Sequence, residues 1–97
     1  MPAYIHLMKL SEQGIKDIKN APQRIDAAAK AIEAAGGRII HFYCTMGEYD
    51  YVCITEGTSD EIGMALLLKI GSQGNIRTTA LKAFNKQAFA EIVKKIP

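Results

Sequence analysis

Residues 46 to 54, Met46-Gly47-Glu48-Tyr49-Asp50-Tyr51-Val52-Cys53-Ile54, constrain this chain more than any other stretch, because they read as a tight turn feeding a strand. Gly47 can take the positive φ that hairpin turns often demand, and the aromatic and β-branched residues around it suit a pleated, half-buried surface. Two long segments, each ending in a glycine-containing turn, flank this hairpin almost symmetrically.

Before the hairpin, Ala3 to Leu10 sets Tyr4, His6 and Met8 against Ala3, Ile5 and Leu7, the two-residue alternation of a strand with differently loaded faces. Ser11 to Asn20 is more polar and interrupted by Gly14, with room for a helical turn or two capped by Ser11. From Pro22, the spacing of Ile25, Ala28, Ala29, Ile32 and Ala35 predicts a helix with one apolar face, which stops at Gly36-Gly37. Pro22 suits its first turn, where a missing N–H costs nothing. Arg38 to Thr45 forms strand two.

After the turn, strand three runs from Asp50 to Glu56, and Thr58 or Ser59 caps the next helix. Ile62, Leu66 and Ile70, with Met64, Leu67 and Leu68 alongside, give that helix an apolar sector broad enough to predict burial on more than one side. Gly71 and Gly74 bracket the turn into strand four, Asn75 to Ala83. Asn85 caps a last helix, Phe84 and Phe89 are spaced as a hydrophobic staple, and Ile92, Val93 and Ile96 continue its face.

The order is β-α-β-β-α-β with an extra C-terminal helix, an α+β chain with the split βαβ arrangement of ferredoxin-like folds, and its 97 residues are expected to form one domain, 1–97. Right-handed crossovers put the helices on one face of the sheet. The other face, expected to show Tyr, Met, Cys and Phe side chains, needs a cover, and a second copy is the simplest one. A net charge of +2, with basic residues scattered among acids, speaks against nucleic acid. No apolar run reaches the ~18–20 residues of a membrane span and Met1 to Leu10 lacks the pattern of a secretion signal, so a cytoplasmic protein is expected. Cys44 and Cys53 have neither zinc-type nor redox-type spacing; two reduced, half-buried thiols are expected, with a cross-strand disulfide as the alternative.

Candidate chemistry is sparse. His6, mid-strand, suits a general base, and equally a histidine satisfied by a neighbouring hydroxyl. Asp50 either orients His6 or a ligand amine, or accepts a backbone N–H that closes the hairpin. Arg77 can clamp a carboxylate or form a surface ion pair. Tyr4, Tyr43, Tyr49 and Tyr51 offer hydroxyls for a pocket or ring packing for an interface. Strand order separates His6 from His41 by about 10 Å, so no metal site is expected with Cys44 and Cys53. Gly71-Ser72-Gln73-Gly74 precedes a strand and is not a phosphate loop. Pro2, terminal if Met1 is removed, is similar to the terminal proline base of tautomerases, a likeness confined to the first few residues.

Gly47-Glu48-Tyr49-Asp50, together with Ser11 to Lys16, Ala21 to Arg24, Gly71 to Thr78 and Lys82-Ala83-Phe84, resembles the GYD-domain family of small proteins largely without assigned activity. The resemblance implies a ferredoxin-like domain that self-associates into a dimeric α+β barrel. Thr45 to Tyr51 is also similar to the effector-binding domain of Lrp/AsnC-type regulators, a precedent for small ligands at subunit interfaces. The function expected is that of a non-enzymatic homodimer or larger homo-oligomer, small-molecule-binding or structural, without cofactor, with His6, Tyr49, Asp50, Tyr51 and Arg77 as the candidate ligand-binding residues. The alternative is a cofactor-free enzyme, an isomerase or oxygenase acting on a small carbonyl or aromatic compound, with His6 as base, Asp50 or Tyr51 orienting it and Arg77 as anion clamp.

Overall fold

A computed structural model describes residues 3–97. Met1 and Pro2, and with them the terminal-proline reading, lie outside the described residues. The elements are β1 (Ala3–Leu10), α1 (Glu12–Lys16), a 3-10 turn (Ile18–Asn20), α2 (Ala21–Ala34), β2 (Arg38–Cys44), β3 (Tyr51–Glu56), α3 (Asp60–Ser72), β4 (Ile76–Ala83) and α4 (Lys86–Val93). The sheet is four-stranded and antiparallel in the order β2-β3-β1-β4, so the α+β, ferredoxin-like arrangement read from the sequence is the one that forms. Among the described residues, no helix is long and apolar enough to cross a membrane.

Local chemistry explains most boundaries. The Ser11 hydroxyl caps α1 by accepting from the Gly14 N–H at 3.1 Å. Gly14 does not interrupt the helix; it is buried because α1 presses on the turn before β4, where a Cβ on Gly14 would lie 2.3 Å from the Asn75 carbonyl oxygen. Ser59, not Thr58, caps α3 through the Ile62 N–H, and Asn85 caps α4 through Ala88. The glycine pair closes α2, with the Gly37 N–H donating to the Ile32 carbonyl at 2.9 Å.

The hairpin is looser than a tight turn. Strand β2 ends at Cys44 and β3 begins at Tyr51, and the loop 45–50 between them is closed by the Thr45 N–H donating to the Asp50 carbonyl at 2.8 Å, with Gly47 at φ +121°. Asp50 leaves the β2–β3 ladder because its own N–H donates to the Met8 carbonyl of β1 at 2.8 Å.

The pleat distributes side chains differently from the expectation for the open face. Cross-strand partners share a face, and the register places Phe42, Cys53, His6 and Ala80 in one row and Tyr43, Val52, Leu7 and Thr79 in the next. Tyr4, Met8, Phe42 and Cys53 therefore lie toward α2 and α3. The open face carries Ile5, Leu7, Val52, Ile54 and Leu81, with Tyr43 as its tyrosine.

Two expectations about burial also fail. Helix α3 is not covered on several sides, for Met64 is 53% and Leu68 62% exposed. Phe84 and Phe89 both stay largely exposed, so a staple between them covers little, and α4 makes no substantial contact with the other elements. Among the described residues the buried apolar side chains are Ala21, Tyr51 and Cys53. The reason is geometric: one sheet with helices on one side leaves every outward apolar stripe without a second layer.

The packing of Gly14 against Asn75 is testable beside an uncrowded glycine. Gly14→Ala should cost about 1–3 kcal/mol, the usual penalty of forcing a methyl into occupied space. Gly71→Ala, in α3 with nothing within 4 Å of the new methyl, should add about 0.4–1 kcal/mol. Urea denaturation of both variants checks the pair; a Gly14→Ala protein as stable as the wild type would refute the close approach.

Candidate functional site

Between the sheet and the helix pair lies a cavity of about 430 Å³. Its floor is the inward face of β1 and β3, Tyr4, His6 and Met8 beside Tyr51, Cys53 and Thr55, joined by Phe42 of β2 and Thr78 and Ala80 of β4. Its roof is the apolar face of α2, including Ile25, Ala28 and Ile32, and that of α3, including Met64, Leu67 and Ile70. The same three-four spacing that makes these helices amphipathic thus supplies the wall of a pocket.

The centre of the floor is polar but uncharged. His6 Nε2 lies 2.8 Å from Thr55 Oγ1, two residues brought together across 49 positions of sequence by adjacent strands. Burial lowers the His6 pKa from its ordinary value, so the imidazole is neutral at pH 7. Burial also raises the pKa of Tyr51, and it pushes the Cys53 thiol up to about 11, which leaves that sulfur protonated and a poor nucleophile.

Charge sits at the edges. At one end the Tyr4 hydroxyl donates to Asp60 Oδ1 and the Lys82 ammonium donates to Oδ2 at 2.9 Å. The hydrogen bond from Tyr4, then the bond and charge of Lys82, hold the Asp60 carboxyl below its ordinary pKa. This clasp ties the first residue of α3 to β1 and β4. Arg24 also lines the cavity, but its guanidinium donates to the Asp17 carboxylate at 3.0 Å and to the Asp17 and Gly14 carbonyls at 2.9 and 3.2 Å.

The five residues singled out from the sequence do not form one site. His6 and Tyr51 share the cavity floor. Asp50 is at the β1 end of the hairpin loop, where its carboxylate accepts from the Leu10 N–H at 2.8 Å; the bond joins hairpin to central strand and does not reach His6. Tyr49 and Arg77 meet elsewhere, in a shallow groove at the margin of the open face, with the Lys9 ammonium 5.3 Å from the centre of the Tyr49 ring. Arg77 stands opposite Lys9 across β1 and β4.

Sequence reasoning missed Thr55 as the partner of His6, though counting an antiparallel register back from the hairpin would have brought the two strands together. It also missed Asp60 and Lys82, which carry no local signal. His41 and His6 are on opposite faces of the sheet, and no cluster of three metal-binding side chains exists among the described residues. Cys53 is buried and faces Phe42, while Cys44 is exposed; both are free, so only one of the two thiols is shielded.

The GYD domain model matches residues 4–93. A Thermus thermophilus protein named glutamine synthetase and cystathionine beta-lyase binding protein is 29% identical over 84 residues, which are 86% of this chain and 88% of that protein. Among solved structures, the chain is similar to a feast or famine regulatory protein of M. tuberculosis complexed with L-methionine, at a TM-score of 0.65 and 19% identity. The match covers 89% of this chain and 52% of the regulator, so the chain spans about half that protein's length. A crystal structure of a second Thermus thermophilus chain matches over 88% of this chain and 95% of its own, at a TM-score of 0.55 and 22% identity. At these identities the structural likenesses establish the fold, which the chain shares with Lrp/AsnC-type domains.

The buried imidazole makes stability depend on pH with a definite sign. Because the folded-state pKa of His6 is depressed, the unfolded chain takes up the proton first. The His6 contribution is fully present above the unfolded value of about 6.5 and is lost as pH falls toward the folded value. Thermal melts at about pH 7.5 and pH 5.5 should show a larger loss of Tm in the wild type than in His6→Gln, which has no ring to titrate. Equal losses in the two proteins would show the imidazole to be solvated.

Proposed function

The chain belongs to the GYD domain family, and on that footing we propose that it is a single-domain, homo-oligomeric small-molecule-binding protein whose ligand occupies the cavity between helices and sheet. The observation that carries this reading is the cavity itself, about 430 Å³, walled by apolar side chains and holding the neutral His6–Thr55 pair at its floor. That combination of size, greasy wall and a few placed polar groups is what small-molecule sites share. A regulator with this fold holds L-methionine, a precedent for small ligands on the architecture.

Self-association rests on surface area. The chain exposes 6947 Å², against about 5,500 Å² for a folded monomer of its mass. The excess exceeds the ~800 Å² that each partner gives up in a standard interface. Ile5, Leu7, Val52 and Ile54 of the open face and the unpartnered side of α4 are the surfaces a second copy would cover.

A second reading draws on the Thermus thermophilus relative, named for binding two enzymes. The same uncovered surface would then receive a larger protein. Sedimentation equilibrium of the isolated protein at micromolar concentration separates the two. Dimers or larger species are expected, and a persistent 10.6 kDa monomer would end the homo-oligomer reading and leave the surface to another protein.

The cavity reading is checked by filling it. Ala28→Phe places a ring in the roof and should reduce binding of whatever small molecule native mass spectrometry recovers from a metabolite extract by tenfold or more, with Tm largely kept. Undiminished binding would put the ligand elsewhere. If the recovered compound is also turned over, and His6→Gln binds it without converting it, the protein is an enzyme with His6 as its base.

A further inference from the structure

The chemistry of the cavity floor narrows the class of ligand. Two aromatic pairs line it: Tyr4 and His6, with ring centres 6.3 Å apart, and Phe42 and Tyr51, at 5.2 Å. Met8 and Cys53 add polarisable sulfur between them. The roof offers aliphatic groups alone over most of its length. A wall of ring faces and sulfur beneath an aliphatic ceiling favours a flat, unsaturated body, which gains dispersion contacts over its whole face and stacks in offset or tilted geometry on the rings.

Charge points the same way. The Arg24 guanidinium is already held by Asp17 and Gly14, and Asp60 and Lys82 neutralise one another. Lys69 lines the rim and is exposed to solvent. No free cation or carboxylate among the described residues therefore reaches the centre, where a charged ligand group would be desolvated without a partner. What the centre does present is an imidazole with Nε2 beside Thr55 Oγ1 and Nδ1 left over. In a neutral ring Nδ1 donates or accepts according to tautomer, so it matches a carbonyl or a hydroxyl equally well.

We infer that the cavity takes a neutral, planar, unsaturated ring compound bearing a hydroxyl or carbonyl oxygen, laid flat on the sheet with that oxygen hydrogen-bonded to His6. The inference rests on the cavity being a ligand site, and the test keeps the two apart. Three probes share one ring system: 2-naphthol has a hydroxyl, naphthalene has no polar group and 2-naphthoate has a carboxylate. Each is titrated calorimetrically or by fluorescence into the wild type, His6→Phe and His6→Gln.

The wild type should bind 2-naphthol and naphthalene and discriminate against 2-naphthoate. The ratio of 2-naphthol to naphthalene affinity should fall by about three- to tenfold in His6→Phe, the worth of one neutral hydrogen bond, and recover in His6→Gln, whose amide can donate and accept. Expressing the effect as a ratio removes the cost of desolvating the hydroxyl, which both proteins share. If 2-naphthoate binds best, or the ratio is the same in His6→Phe, the ligand class is wrong while the cavity remains a site. If none of the three binds, the cavity reading fails and this inference with it. The wild-type comparison decides between neutral and anionic ligands even where a His6 variant does not fold.

Discussion

Because β1 is hydrogen-bonded to β3 on one side and to β4 on the other, its two-residue pleat decides what each face of the whole sheet contains. Tyr4, His6 and Met8 go to the helix side, and the rows running through them carry Tyr51, Cys53, Thr55, Phe42 and Ala80 along. Ile5 and Leu7 go to the other side with Val52, Ile54 and Leu81. A slip of one residue in this strand would exchange the two sets, moving the polar His6–Thr55 pair to the open face and an aliphatic surface to the cavity. Asp50 guards against that slip, for its N–H and carboxylate bind Met8 and Leu10 at the end of the same strand.

The helix layer is fastened to the sheet mainly at its ends. Beyond one end of β1, Ser11, Gln13 and Gly14 hold the turn before β4 through hydrogen bonds and close packing against Gly74, Gln73 and Asn75. Near the other end, Tyr4 and Lys82 grip Asp60 at the start of α3. Between these fastenings the helices contribute small or aliphatic side chains, Ala28 and Ala31 among them, and the space is left open. The clasp around Asp60 is exposed, so solvent weakens its ion pair. Its effect is one of position, setting where α3 begins relative to the floor of the cavity.

The same architecture makes the chain incomplete as a surface. A sheet covered on one face buries half of its side chains, and α4 extends the polypeptide to a length of 52 Å in a body 19 Å thick. Apolar residues at regular spacing in β1, β3, α3 and α4 therefore meet water in one copy. In a chain of this size such periodicity marks surfaces meant for contact as well as a core.

The sequence by itself determined the order and kind of the elements. Alternation in Ala3 to Leu10, three-four spacing from Ile25 to Ala35, and caps at Ser11 and Asn85 are local properties, set by the dihedral and hydrogen-bonding preferences of neighbouring residues. It also carried the family likeness, and it singled out His6 and Tyr51, which the fold brings to one cavity. The tertiary structure alone decided which face each strand residue joins, because face depends on register between strands far apart in the chain. That is why Tyr49 and Arg77, grouped with His6 from the sequence, lie in a separate groove at the margin of the open face, why Asp50 serves the backbone of β1, and why Thr55, Asp60 and Lys82 had no visible role beforehand. A hydrogen bond spanning 49 positions, such as His6 to Thr55, leaves no periodic trace in either segment. It comes into being when β3 pairs with β1, and with it the polar centre of the cavity.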